Sequence, residues 1–141
     1  MKKYLKLSFI YAIAAMAMGV FFREFTKFNG FEGTTALGKV HTHLFLLGMF
    51  VFLITALFVG RLNDLEGLKA FRAFNIVYNI GVPFTAVMMT VRGITQVLGT
   101  ELSKGANAAI SGIAGIGHII TGTGIILLLL SLMKAARNDN T

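Results

Sequence analysis

Four apolar stretches run through this 141-residue chain, each close to the ~20 residues an α-helix needs to cross a bilayer. They cover roughly residues 5–22, 38–60, 73–98 and 106–133, leaving short polar connections and a polar tail at Asn138–Thr141. One proline and no tryptophan leave little turn chemistry for an all-β fold. Charged residues are 13% of the chain, about half the share in a soluble domain. The expectation is therefore all-α: an integral membrane four-helix bundle forming a single domain over 1–141.

The net charge of +7 does not point to nucleic acid, because the basic residues sit mainly at the ends of the apolar blocks. With the amino terminus inside, Lys2, Lys3, Lys6, Arg61, Lys69, Arg72, Lys134 and Arg137 fall on the inner side. Arg23, Lys27, Lys39 and Lys104 fall on the outer side, and Arg92 lies within a span. Eight against four places both termini in the cytoplasm, with the bacterial inner membrane as the expected location. The start Met1-Lys2-Lys3 with Ala14-Ala15-Met16-Ala17 resembles a signal peptide. The apolar run from Leu5 to about Phe22 is long enough to span, so a retained first helix is expected. The absence of cysteine excludes disulfides and thiolate metal sites.

Helices in lipid gain little from apolar burial against each other, so small and polar residues mark their contact faces. Helical spacing aligns Tyr4, Ser8, Tyr11, Ala15 and Gly19 in the first span, and His41, Phe45, Gly48, Phe52 and Thr55 in the second. The third aligns Asn75, Tyr78, Val82, Thr85, Met89, Arg92 and Gln96, with Pro83 a potential kink. The fourth aligns Ser111, Gly115, His118, Gly122 and Ile125.

All three histidines, His41, His43 and His118, lie inside these spans, where ionisable groups are rare without a partner or a task. Measured from the inner ends, His41 and Arg92 lie at roughly 30 Å and His118 at about 24 Å, so the three are expected to converge in the outer half. His41 and His43 point about 200° apart on a helix; His41 is assigned inward, and His43 to a subunit contact or the interface. His118 has Gly115 and Gly122 on its own face, which clears room for a large flat molecule. The expected site is one haem b clamped between His41 and His118, with Gly48, Gly115 and Gly122 about it and a propionate on Arg92, serving electron transfer or the sensing of a small gas.

Other readings of these residues stay open. A Zn or Cu ion on His41 and His118, with His43 a lesser candidate, would need a third ligand or a second subunit. A cofactor-free proton or solute path would use Arg92, the histidines, Asn75 and Asn79. The histidines and glycines also suit interhelical hydrogen bonding and packing, and Arg92 suits snorkelling to the headgroups. A bundle this small encloses a macrocycle only in part, so a homo-oligomer in the lipid bilayer is expected. The sequence names no redox partner.

His41-Thr42-His43-Leu44 through Leu47-Gly48-Met49 resembles the second-helix signature of relatives of haem-copper oxidase subunit one. That resemblance implies a low-spin haem b ligand at His41. The chain lacks a histidine cluster for a copper centre, so the likeness implies a single b-type haem and no oxygen reduction. Over nearly its full length the chain also resembles an uncharacterised family of small four-helix bacterial membrane proteins carrying His-x-His-Leu. That likeness implies the same fold and brings no established activity.

Overall fold

The computed structural model describes residues 1–139. Four long helices make up most of it: α1 Lys2–Phe28, α2 Leu37–Arg61, α3 Lys69–Val97 and α4 Lys104–Asp139. A 3₁₀ turn at Leu65–Gly67 precedes α3, and no strand occurs among the described residues. All four helices are long and apolar enough to cross a membrane. Most of their ends lie beyond the expected spans, because apolarity marks the part suited to lipid whereas a helix runs on until its backbone is stopped.

Two of those stops are glycines. Gly30 (φ +59°) and Gly99 (φ +61°) adopt the left-handed conformation just beyond α1 and α3. Their N–H groups donate to the carbonyls of Lys27 and Gln96, and the next N–H groups, of Phe31 and Thr100, donate to Thr26 and Thr95. This double bond pattern satisfies last-turn carbonyls, and glycine adopts the required backbone at no steric cost. At the start of α4 the Ser103 hydroxyl accepts from the Ala106 N–H at 3.1 Å, a side-chain cap.

The helices pack as two pairs, α1 along α2 and α4 along α3, joined by α2 against α3. α3 is the most buried of the four. At one end of the bundle Tyr4 donates to Glu66 and Asn63 donates to Asp139, so the amino terminus, the α2–α3 loop and the end of α4 lie together. The same half holds the aromatic core: Phe52, Phe71, Phe74 and Tyr78, with neighbouring ring centres 5.2–6.2 Å apart. At the opposite end Thr35 donates to the Gly93 carbonyl at 3.0 Å, and the Ala36 N–H donates to Gln96 at 2.8 Å. These bonds tie the α1–α2 loop to the end of α3.

The inward face of α1 is the expected one: Tyr4, Ser8, Tyr11 and Ala15 are buried. On α2 the expected stripe holds from Gly48 through Phe52 to Thr55. Before that point it is displaced by one residue, because Leu37, Val40 and Leu44 are buried where His41 and Phe45 were expected. The cause is a π-helical segment at Leu44–Phe50, in which each bond spans one more residue than an α bond. Residues on its amino-terminal side are therefore rotated relative to an uninterrupted α-helix. α4 departs similarly. Its buried residues are Gly117, Thr121, Gly124, Leu128, Ser131 and Ala135, and the stripe through Gly115, His118 and Gly122 faces away from α3. Glycine occurs on both faces of α4, so small residues alone do not select one. α3 runs through Pro83 as one helix, although that residue removes a backbone donor.

Candidate functional site

The rotation introduced by the π segment decides which histidine meets which. His43, not His41, faces His118: the two imidazole centres are 6.4 Å apart and their planes are nearly perpendicular, at 86°. His43 thus links α2 to α4. His41 instead turns towards α1, its ring parallel to Phe22 with centres 6.5 Å apart. It sits over Gly19, where an added Cβ would lie 3.8 Å from the His41 Cβ and Cγ. The expected pairing of His41 with His118 is replaced by His43 with His118; His43 is half-buried on the flank where His118 is exposed, and the Nδ1 of His41 is buried.

The two facing histidines share a second property. The His43 Nδ1 lies 2.9 Å from the Lys39 carbonyl oxygen, and the His118 Nδ1 lies 2.9 Å from that of Ala114. A carbonyl oxygen only accepts, so each Nδ1 carries the proton, and in the neutral ring Nε2 keeps its lone pair. Holding one ring nitrogen on a backbone carbonyl while the other is free is the usual arrangement of a ligating imidazole. His41 lacks it, since its Nδ1 is buried without a hydrogen-bond partner.

Around His118 the surface is open. Gly115 and Gly122, one turn before and one turn after, have nothing within 4 Å of a would-be Cβ. His118 itself is exposed and His43 half-buried. Gly48 is different: its space is filled by the Tyr11 ring of α1, so it serves helix contact and leaves no room for a bound group.

Arg92, on α3, reaches across to the start of α4. Its guanidinium donates to Asn107 Oδ1 and Ser111 Oγ, and Ser111 is two turns before His118, about 10 Å along the axis. Arg92 also lines a cleft of about 290 Å³ with Thr95, Gln96, Thr100 and Asn107. The expected depth of Arg92 puts it near His118; Asn107 is an additional partner, and its spacing of four from Ser111 is the only trace of it in the sequence.

Among the described residues no three His, Cys, Asp or Glu side chains converge on a point that could hold a metal ion. One chain therefore offers His43 and His118 as two nitrogen ligands, short of the usual four-coordinate Zn shell.

Residues 1–135 match the family model described as Protein of unknown function (DUF2871). The chain belongs to that family. Neither the curated proteins nor the solved structures contain a match. In this family member, the candidate site consists of His43 and His118, the open glycines beside His118, and Arg92 with its two partners.

The π segment is held by groups that sequence reasoning placed on inner faces without assigning them bonds. The Ser8 hydroxyl donates to the Met49 carbonyl at 2.8 Å, and the Tyr78 hydroxyl donates to the Leu47 carbonyl at 2.8 Å. Both carbonyls lie inside Leu44–Phe50. α1 and α3 thereby grip the stretch of α2 that orients His43.

Proposed function

We propose that this chain is a multi-pass membrane protein that binds one haem b between α2 and α4, where His43 and His118 would hold it, and that it serves electron transfer. The observation that carries the reading is the facing pair of imidazoles, each with Nδ1 committed to a backbone carbonyl and Nε2 free. His43 and His118 would hold the iron of a haem through their Nε2 atoms, and a haem would need no third side chain.

The open positions at Gly115 and Gly122 give a flat ligand a face on α4, and Arg92 with Ser111 and Asn107 supplies a cationic seat for a carboxylate. Bound haem would supply a one-electron couple at its iron. His43 and His118 would hold the group, the Lys39 and Ala114 carbonyls would orient their rings, and the helices would keep the site in apolar surroundings. Two histidine ligands would suit a one-electron couple, which favours electron transfer over gas sensing.

The same reading puts the chain in the bacterial cytoplasmic membrane with both termini in the cytoplasm, supported by eight basic residues at that end against four at the other. It also makes the protein a homo-oligomer, since the flank of α4 bearing His118 is uncovered within one chain. The test is a visible spectrum of the membrane-extracted protein loaded with haem. A Soret band is expected in the wild type and in His41→Ala, and is expected to be lost in His43→Ala and His118→Ala. A wild type that stays colourless, or a band that needs His41 and survives His43→Ala, refutes the assignment.

A further inference from the structure

At the end of the bundle that carries both termini, the start of α3 and the last turns of α4 run side by side. Between them lies a groove of about 740 Å³, walled by Leu68, Lys69 and Ala70 on one side and by Leu130, Ser131 and Lys134 on the other. A second hollow, lined by Leu130, Met133, Lys134 and Arg137, shares two of those residues and extends the groove along α4. Its floor is apolar and open, with Leu130 50% and Met133 62% exposed. Its rim is cationic. The one ion pair among the described residues joins Arg23 to Glu24, so Lys69, Lys134 and Arg137 are not in contact with a carboxylate, although Glu66 and Asp139 lie at the same end. The Ser131 hydroxyl is already committed to the Leu127 carbonyl, at 2.6 Å.

α4 has 36 residues and is about 54 Å long at 1.5 Å per residue. The bilayer with its headgroups is only about 40–45 Å thick. The basic end of α4 therefore stands at headgroup level, about 24 Å along the helix from His118.

We infer that this groove seats an anionic phospholipid, with its phosphodiester against Lys69, Lys134 and Arg137 and its acyl chains over Leu130 and Met133. Basic pockets between helices at the cytoplasmic surface recognise such headgroups, and the exposed apolar floor selects a lipid over free phosphate. The inference rests on the bilayer placement proposed above and is independent of haem.

The full chain is reconstituted in nanodiscs of phosphatidylcholine containing phosphatidylglycerol, transferred to mild detergent, and weighed by native mass spectrometry. Phosphatidylglycerol is expected to be retained in preference to phosphatidylcholine, and inorganic phosphate is expected not to displace it. The K69Q/K134Q variant is expected to retain it roughly fivefold less per charge removed. The control K2Q/K3Q, which removes two lysines from the same end, should match the wild type. K69R/K134R, which keeps the charge, should restore retention, and unchanged helical circular dichroism in all variants separates lost binding from lost folding. Equal retention of the two lipids, equal loss in both glutamine variants, or displacement by inorganic phosphate overturns the site. A chain that alkaline carbonate strips from membranes overturns the bilayer placement as well, whereas an embedded chain without lipid preference overturns this site alone.

Discussion

Two kinds of glycine stand within a few residues of each other on α4, and they predict opposite outcomes. A Cβ at Gly124 would lie 2.7 Å from the Tyr78 ring, and one at Gly117 would lie 2.9 Å from the Thr85 hydroxyl and 3.3 Å from the Thr85 Cα. Gly93 of α3 is tighter still, because a Cβ there runs into the Leu37 backbone. Gly93→Ala and Gly124→Ala should each cost about 1–3 kcal/mol by overpacking, read as a lower unfolding temperature in detergent. Gly115→Ala and Gly122→Ala meet open space, so their stability should stay within about 0.5 kcal/mol of the wild type. Under the haem reading they should nonetheless weaken cofactor loading, seen as a right-shifted haem titration. Equal behaviour of the two glycine pairs in both measurements contradicts this division.

The π segment of α2 is the element on which the site turns. Had α2 been a plain α-helix, extrapolation from Thr55, Phe52 and Gly48 would keep His41 on the inner stripe. The π winding turns it to α1 and brings His43 round to His118. Tyr78→Phe removes the hydroxyl that engages the Leu47 carbonyl, and Ser8→Ala removes the one on Met49. Each should cost on the order of 0.6–1.7 kcal/mol, as for interhelical hydrogen bonds in membranes, measured by unfolding in mixed micelles. Deleting Leu46, an exposed residue of the segment, removes the one extra residue that the π winding absorbs, so α2 should wind as a regular α-helix with His43 still facing His118. Nitroxides in place of His43 and His118 should then report an unchanged separation; a longer distance refutes the register argument. The stripe of α1 was legible because its contacts come from side chains of contrasting polarity at plain helical spacing. The partner of His118 was not, because a π segment depends on bonds from two other helices, and a single-helix pattern carries no trace of them.

At the scale of the whole molecule, the same property made the architecture easy to read and its internal orientation hard. Four apolar runs of spanning length fix the number of long helices. Which face of α4 meets α3 was misplaced, since lipid-suited residues surround that helix and glycine lies on both sides. The proposed placement of the termini rests on charge: Met1, the α2–α3 loop and Asp139 share one end, which carries eight of the basic residues. Because the chain has no cysteine, single cysteines at Lys3 and Lys104 can be labelled unambiguously in intact cells. An impermeant maleimide should modify position 104 and spare position 3 until the cells are opened; the reverse pattern contradicts cytoplasmic termini.

Six glycines in α4, at 105, 112, 115, 117, 122 and 124, also bear on how this helix holds together at all. In water each would weaken a helix by about 1 kcal/mol relative to alanine, so the stretch around His118 has little intrinsic helicity. Lipid reverses this, because an unpaired backbone group has no water to turn to. Amide exchange should therefore be slow along α4 in bilayers and fastest between Gly112 and Gly122 once detergent lets water reach the backbone. The histidine that closes the site would thus ride on a segment whose order is lent to it by the membrane.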